Sequence, residues 1–121
     1  MKKLVLFSLS LLVTLAASGV ASAGEAKRDP VAAGHDFALK VCAACHVVGP
    51  DQKSPPILKP PAPSLASIAK SSTTSEESLR KLLSSPHGNL GKKGKMPNPM
   101  LADYQIDEVI AYLLDLQKAA R

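Results

Sequence analysis

The segment Cys42-Ala43-Ala44-Cys45-His46 constrains the fold of this chain more than any other, and it contains the only two cysteines. A C-x-x-C-H pentapeptide is typical of covalent haem attachment. Two thiols three positions apart on one helical turn can each add to one vinyl group of a haem. The histidine that follows then lies beneath the iron and offers a neutral imidazole nitrogen as an axial ligand. The segment therefore predicts one covalently attached haem c, bound through Cys42 and Cys45, with its iron ligated by His46.

The same two cysteines admit two other interpretations. In an oxidising compartment they could form a disulfide, although it would close a very short loop and add little stability. They could also be the redox pair of a haem-free thiol oxidoreductase. That class needs a βαβ context, and the sequence contains no convincing strand. The haem interpretation is therefore favoured.

The N-terminal segment has the pattern of a secretory signal peptide. It starts with a short positive M-K-K, continues as an almost unbroken apolar run over 4–17, and ends in A-S-A at 21–23. The apolar run is shorter than the ~20 residues that a membrane-spanning helix needs. We expect residues 1–23 to be cleaved on export to the periplasm, leaving one domain over 24–121. A retained N-terminal membrane anchor is the less favoured alternative.

The composition indicates a small domain that is short of bulky core residues. A mature chain of about 100 residues is near the size at which a hydrophobic core alone gives marginal stability. Aromatic residues make up 3% of the chain and Trp is absent, so a buried haem would supply the missing bulk. The net charge is +5, or +3 without Lys2 and Lys3, which is too weakly basic to indicate nucleic-acid binding. No phosphate-binding loop, carboxylate pair or serine triad stands out.

The spacing of apolar residues predicts four helices and an all-α fold. We expect Asp29 to cap the first helix and Pro30 to begin it. Thr73 and Thr74 begin two overlapping capping boxes ahead of the third helix. Six prolines make the segment 47–63 irregular. The expected helices span about 30–45, 64–70 and 103–118, and the third helix follows the capping boxes as far as about residue 85.

Over most of residues 30–118 the chain resembles a class I cytochrome c. This resemblance implies a small fold of about four short helices around one haem, with the N- and C-terminal helices crossing. In the family, the helix crossing has a glycine, here Gly34, and the closing-helix aromatic, here Tyr112, faces it. The matching features are the C-x-x-C-H site, Gly34, Pro63-Ser64-Leu65, Met96-Pro97 and the segment 109–113.

The resemblance also assigns two further residues to the haem site. The carbonyl of the proline at position 63 would accept a hydrogen bond from His46, which fixes the imidazole ring and raises its basicity. The distal ligand would be Met96, because the family's methionine precedes the closing-helix aromatic by about sixteen residues, as Met96 precedes Tyr112. The cofactor-binding residues are thus expected to include Pro63 and Met96. Weaker candidates for the sixth ligand are Met100, His87 and His35, the last expected to be exposed.

The implied function is one-electron transfer by a periplasmic, monomeric cytochrome c that is not an enzyme. Lys92, Lys93 and Lys95 precede Met96 and would rim the exposed haem edge, unless they only solvate a Gly-rich loop. Such a rim would suit redox partners with acidic docking surfaces: a dehydrogenase, an oxidase or another cytochrome. Two alternatives stay open. One is a haem subunit of a specific dehydrogenase; the other is a ligand-binding or peroxidase-like haem protein, if Met96 is not on the iron.

Overall fold

A computed structural model describes residues 27–85 and 96–121 of the chain. Within these ranges the chain forms α-helices and no strand, as the apolar spacing predicts. No helix in the described ranges is long and apolar enough to cross a membrane. The expected signal peptide and His87, Lys92, Lys93 and Lys95 lie outside the described residues. The helices are α1 (Pro30–Val41), α2 (Leu65–Lys70), α3 (Glu76–Ser84) and α4 (Asp103–Ala119).

Helix α1 begins where the sequence predicts and ends earlier. The Asp29 carboxylate accepts a hydrogen bond from the Val31 N–H at 3.0 Å, and Pro30 occupies the first helical position. The helix ends at Val41, because the next residues tighten into turns. The Cys42 carbonyl accepts from two N–H groups, three and four residues further on, at 3.1 and 2.9 Å. This mixed bonding replaces the regular helix that was predicted as far as residue 45.

Helices α1 and α4 cross closely at Gly34, as the resemblance implies. A Cβ atom at Gly34 would overlap the backbone carbonyl of Glu108 and lie 3.1 Å from Cβ of Tyr112. Any side chain at this position would therefore push the two helices apart. The close approach explains why a glycine stands inside a helix, where it costs about 1 kcal/mol relative to alanine.

The core of the described residues forms where α4 packs against the other three helices. Most of the buried apolar residues belong to these helices, and one of them, Val48, lies just after the C-x-x-C-H turn. The turn is therefore anchored to the core on its C-terminal side. The buried apolar residues are Ala38, Val48, Leu65, Ala69, Leu79, Leu83, Ile106, Val109, Ile110, Tyr112 and Leu113.

The cap of helix α3 differs from the prediction. Ser75, and neither Thr73 nor Thr74, is the capping residue: its hydroxyl accepts from the Ser78 N–H at 3.1 Å. The Ser78 hydroxyl accepts in return from the Ser75 N–H at 2.9 Å. The predicted boxes are wrong because the threonine hydroxyls bond elsewhere. Thr74 donates to the carbonyl of Ile68 at 2.5 Å, for example, which ties this turn back to α2.

The proline-rich segment 47–63 is irregular, as predicted, and it lies against the C-x-x-C-H turn. The N–H of Ile57 donates to the carbonyl of Ala44 at 2.9 Å, and the N–H of Ala62 donates to the carbonyl of Cys45 at 2.9 Å. The segment therefore forms one structural unit with the turn, although its prolines exclude a helix or a central strand.

Candidate functional site

His46 is buried, and one of its two ring nitrogens is committed to the protein. The residue is 8% exposed, and its Nδ1 lies 2.6 Å from the carbonyl oxygen of Pro63. Because a carbonyl oxygen only accepts, Nδ1 must carry the hydrogen, and in the neutral imidazole Nε2 is then the nitrogen with a free lone pair. Nε2 has no hydrogen-bond partner among the described residues. An unpartnered acceptor on a buried residue needs an explanation, and a metal ion bound at that nitrogen supplies one.

Two backbone hydrogen bonds bracket the contact between His46 and the proline carbonyl. The Cys45 carbonyl accepts from the Ala62 N–H at 2.9 Å, and the Val47 carbonyl accepts from the Leu65 N–H at 2.9 Å. These bonds align the chain before α2 with the chain around His46. Leu65 is 5% exposed and begins α2, so the packing of that helix helps to place the carbonyl.

Cys42 and Cys45 are both free thiols and both are half-buried. Burial raises the pKa of the Cys42 thiol, and the adjacent charge of Cys45 raises it further. The attacking cysteine of a thiol oxidoreductase has a lowered pKa instead. The raised pKa of Cys42 therefore does not indicate the reactive thiolate that exchange needs, and both thiols lie on one turn, where each could bond to a haem.

The two methionines ahead of α4 have different surroundings. Met96 is half-buried and packs against the core cluster. Met100 is 86% exposed and has a backbone φ of 52°. Its N–H donates to the Asn98 side chain at 2.8 Å, which stabilises the turn that directs the chain into α4. The difference in burial favours Met96 over Met100 as an interior ligand.

Two side chains hold the chain just after His46, and the sequence indicates this role for neither of them. The side-chain oxygen of Gln52 accepts from the Val48 N–H at 2.7 Å, and the Tyr112 hydroxyl donates to the Val48 carbonyl at 3.0 Å. Val48 is 2% exposed, so both of its buried backbone groups depend on side chains for their partners. One sequence gives no signal for the role of Gln52. Tyr112 was assigned to the helix crossing, and its hydroxyl bond is an addition to that role.

His35 was expected to be exposed, and this expectation is wrong. Its side chain is 26% exposed and its ring lies 4.8 Å, between centroids, from the Tyr112 ring. Its Nε2 lies 3.1 Å from the carboxylate of Asp51, so one of its two ring nitrogens is already engaged by the protein. Burial, and then the charges of Asp51 and Asp115, raise the pKa of Tyr112, so its hydroxyl stays protonated at neutral pH. His87, another ligand candidate, lies outside the described residues.

A buried, oriented histidine beside two thiols on one turn, in a small helical domain, defines a haem-carrying class of protein. Comparison with protein families agrees: the model of the Cytochrome c family matches residues 31–117. The chain belongs to the cytochrome c family, and the spacing of its cysteines is consistent with a class I member. No curated protein and no solved structure matches the chain.

Family membership and the cysteine spacing together assign one covalently attached c-type haem with its iron. The residues present fit this group. His46 offers an unpartnered imidazole nitrogen, Cys42 and Cys45 offer thiols, and Met96 offers a half-buried thioether. Imidazole and thioether are the axial ligands of haem iron in electron-transfer cytochromes. When bound, the haem supplies reversible one-electron chemistry, and proteins of this family are typically electron carriers.

Proposed function

We propose that this chain is an exported, monomeric, monohaem cytochrome c that carries one electron at a time, with its iron between His46 and Met96. The observation that carries the proposal is the bond from His46 Nδ1 to the Pro63 carbonyl, which leaves Nε2 of this buried residue for iron. Hydrogen bonds hold one ligand and core packing holds the other. Ligands that keep their places in both oxidation states favour electron transfer with little rearrangement.

The proposal is tested by spectroscopy on the mature protein, purified from cells that express the full-length gene. Haem should remain on the polypeptide in denaturing electrophoresis, and a redox titration should fit a single one-electron step. Carbon monoxide should leave the reduced spectrum unchanged, because His46 and Met96 fill both axial positions. Haem that dissociates on denaturation would contradict covalent attachment. Rapid binding of carbon monoxide would favour the ligand-binding or peroxidase-like alternative.

We also propose that residues 1–23 are removed on export and that 24–121 is the domain that acts in the periplasm. The positive start, the apolar run and the small residues at 21–23 support this proposal. Covalent haem attachment outside the bacterial cytoplasm, which is the rule in the family, is consistent with it. Mass spectrometry of the periplasmic protein should give a chain that starts at Gly24. An intact N-terminus in the membrane fraction would contradict cleavage.

The proposed partners are redox proteins with acidic docking surfaces: a dehydrogenase, an oxidase or another cytochrome. Lys40 and Lys53 line one groove together with Ile57, beside the C-x-x-C-H turn. Neither lysine forms an ion pair within the part of the chain that the structure describes. Asp51 also lines this groove, but its carboxylate is paired with His35, so these two lysines beside apolar side chains support weak, transient docking with an acidic partner. Exposed apolar side chains near the turn are Val41, Val47, Ile57 and Leu58.

A further inference from the structure

We propose that Gln52 is a positioning residue for His46, because its side chain holds the C-x-x-C-H turn and the chain after it in one arrangement. The amide oxygen of Gln52 accepts from the Val48 N–H at 2.7 Å. The amide nitrogen donates to the carbonyl of Ser54 at 2.8 Å and to the carbonyl of Ala43 at 3.4 Å. Three of the four hydrogen-bonding positions of the amide are therefore used inside this one unit.

The partners of Gln52 lie on both sides of His46. Ala43 is three residues before the histidine and Val48 is two residues after it. The short bond to Val48 and the longer bond to Ala43 join the chain on the two sides of His46 through one side chain. This link restricts the backbone of His46. The Pro63 carbonyl sets the direction of the imidazole ring, but it acts on the ring alone. Gln52 thus restricts the backbone from which that ring projects.

The bond to Val48 is the strongest part of this arrangement. It is the shortest of the three bonds, and Val48 as a whole residue is 2% exposed, so water is a poor substitute partner for its backbone. The Val48 carbonyl is held in turn by the Tyr112 hydroxyl at 3.0 Å. Without the Gln52 amide, the buried N–H of Val48 would lose its acceptor, and this segment would open more readily.

The inference rests on the proposed function in one respect, the assignment of His46 as an iron ligand.

The test compares three haem-loaded proteins: wild type, Gln52→Leu and Gln117→Leu. Gln117 is a matched control, because its amide nitrogen makes one bond to the Thr74 carbonyl at 3.3 Å, away from the turn. Hydrogen exchange of the Val48 amide should be about tenfold faster in Gln52→Leu, as loss of one well-formed hydrogen bond implies. It should be unchanged in Gln117→Leu.

A second readout separates positioning from general stability. The haem methyl resonances of the ferric protein report the orientation of the His46 ring, and they should move in Gln52→Leu and stay in place in Gln117→Leu. Gln52→Glu keeps an acceptor for the Val48 N–H and loses both donors. It should protect the Val48 amide almost as wild type does and still shift the methyl resonances, which decides the matter if Gln52→Leu does not fold.

Two results would overturn the positioning role. One is wild-type exchange at Val48 together with wild-type methyl resonances in Gln52→Leu. The other is an equal change in Gln117→Leu, which would make the effect a general loss of stability. Failure of the proposed function is distinguishable from both, because it would appear in the wild-type protein alone, as haem that dissociates in denaturing electrophoresis, before any variant is compared.

Discussion

The two sides of the candidate haem site are held in different ways. On the His46 side, backbone and side-chain hydrogen bonds fix the turn, the ring and the chain that follows. On the other side, the described residues 96–101 form one hydrogen bond, from the Met100 N–H to the Asn98 side chain. Met96 itself depends on packing against the core. Hydrogen bonds thus set the direction of the His46 ring, whereas the position of Met96 depends on the core residues around it.

The largest expected effect comes from removing the anchor on the His46 side. The double variant Cys42→Ser/Cys45→Ser should lose all covalently bound haem, because no other cysteine exists in the chain. It should also lose most of its helical structure, because the protein core is small without the cofactor. Haem staining after denaturing electrophoresis and far-ultraviolet circular dichroism check these two results.

A control for the cysteine variant is Ser75→Ala, which removes the cap of α3. We expect it to cost about 1 kcal/mol of unfolding free energy and to leave haem attachment intact. Covalent haem on the double cysteine variant would contradict the assignment of Cys42 and Cys45.

The helix crossing links the two sides, because α1 leads into the C-x-x-C-H turn and α4 follows the Met96 segment. Gly34→Ala should lower the free energy of unfolding by about 2–3 kcal/mol, since the new Cβ would overlap the Glu108 carbonyl. Gly49→Ala is the matched control. Its Cβ would lie 2.9 Å from the flexible carboxylate of Asp51, so we expect a loss below about 1 kcal/mol. Chemical denaturation measures the free energy of unfolding of both variants. Equal losses would show that the close helix crossing makes no special contribution to stability.

The Tyr112 hydroxyl contributes to the His46 side alone. Tyr112→Phe should cost about 1–2 kcal/mol at neutral pH, because the buried Val48 carbonyl loses its donor. The folded-state pKa of Tyr112 is raised, chiefly by burial, so this stabilisation is complete below the unfolded pKa of about 10. It is lost as pH rises through the folded value. The difference in unfolding free energy between wild type and Tyr112→Phe should therefore shrink above pH ~10. Denaturation at several pH values measures this difference. A difference that stays constant with pH would contradict the role of the hydroxyl bond.

The smallest effect on stability is expected at the exposed apolar surface beside the turn. Ile57 is 82% exposed, so Ile57→Ser should leave folding and haem attachment unchanged. Voltammetry on a gold electrode with a mixed carboxylate and methyl monolayer provides a probe that mimics an acidic, partly apolar partner. Electron exchange should slow by about fivefold in Ile57→Ser, the factor for a loss of about 1 kcal/mol of docking free energy. The control is Leu82→Ser, because Leu82 is 43% exposed and lies on α3. Equal rates in all three proteins would show that the surface around Ile57 takes no part in docking.

Much of the fold could be predicted from the sequence, because its determinants are local patterns. Apolar spacing gave four helices, prolines gave the irregular segment 47–63, and the position of Gly34 indicated the crossing. The errors concern competing hydrogen bonds. Ser75 caps α3 because the hydroxyl of Thr74 bonds to α2, and α1 ends at Val41 because the cysteine turn tightens. Such choices depend on which partner is near in space, which the sequence does not state.

The candidate site divides in the same way. Cys42, Cys45 and His46 are adjacent in sequence, so a short motif is enough to indicate them. The bond from His46 to the Pro63 carbonyl was implied by the family resemblance, and the structure contains it. The roles of Pro63 and Met96 at the haem stay predictions. Gln52 could not be found from the sequence, because its partners are backbone groups that any residue can supply.

The most direct test of the account is the far-red absorption of the ferric protein, where a methionine sulfur on haem iron gives a weak band. We expect wild type and Met100→Leu to show this band, because Met100 is exposed and Met96 packs against the core. Met96→Leu should lose the band, keep its covalent haem and bind carbon monoxide when reduced. A band that persists in Met96→Leu and disappears in Met100→Leu would contradict the account, as would its absence from the wild-type protein.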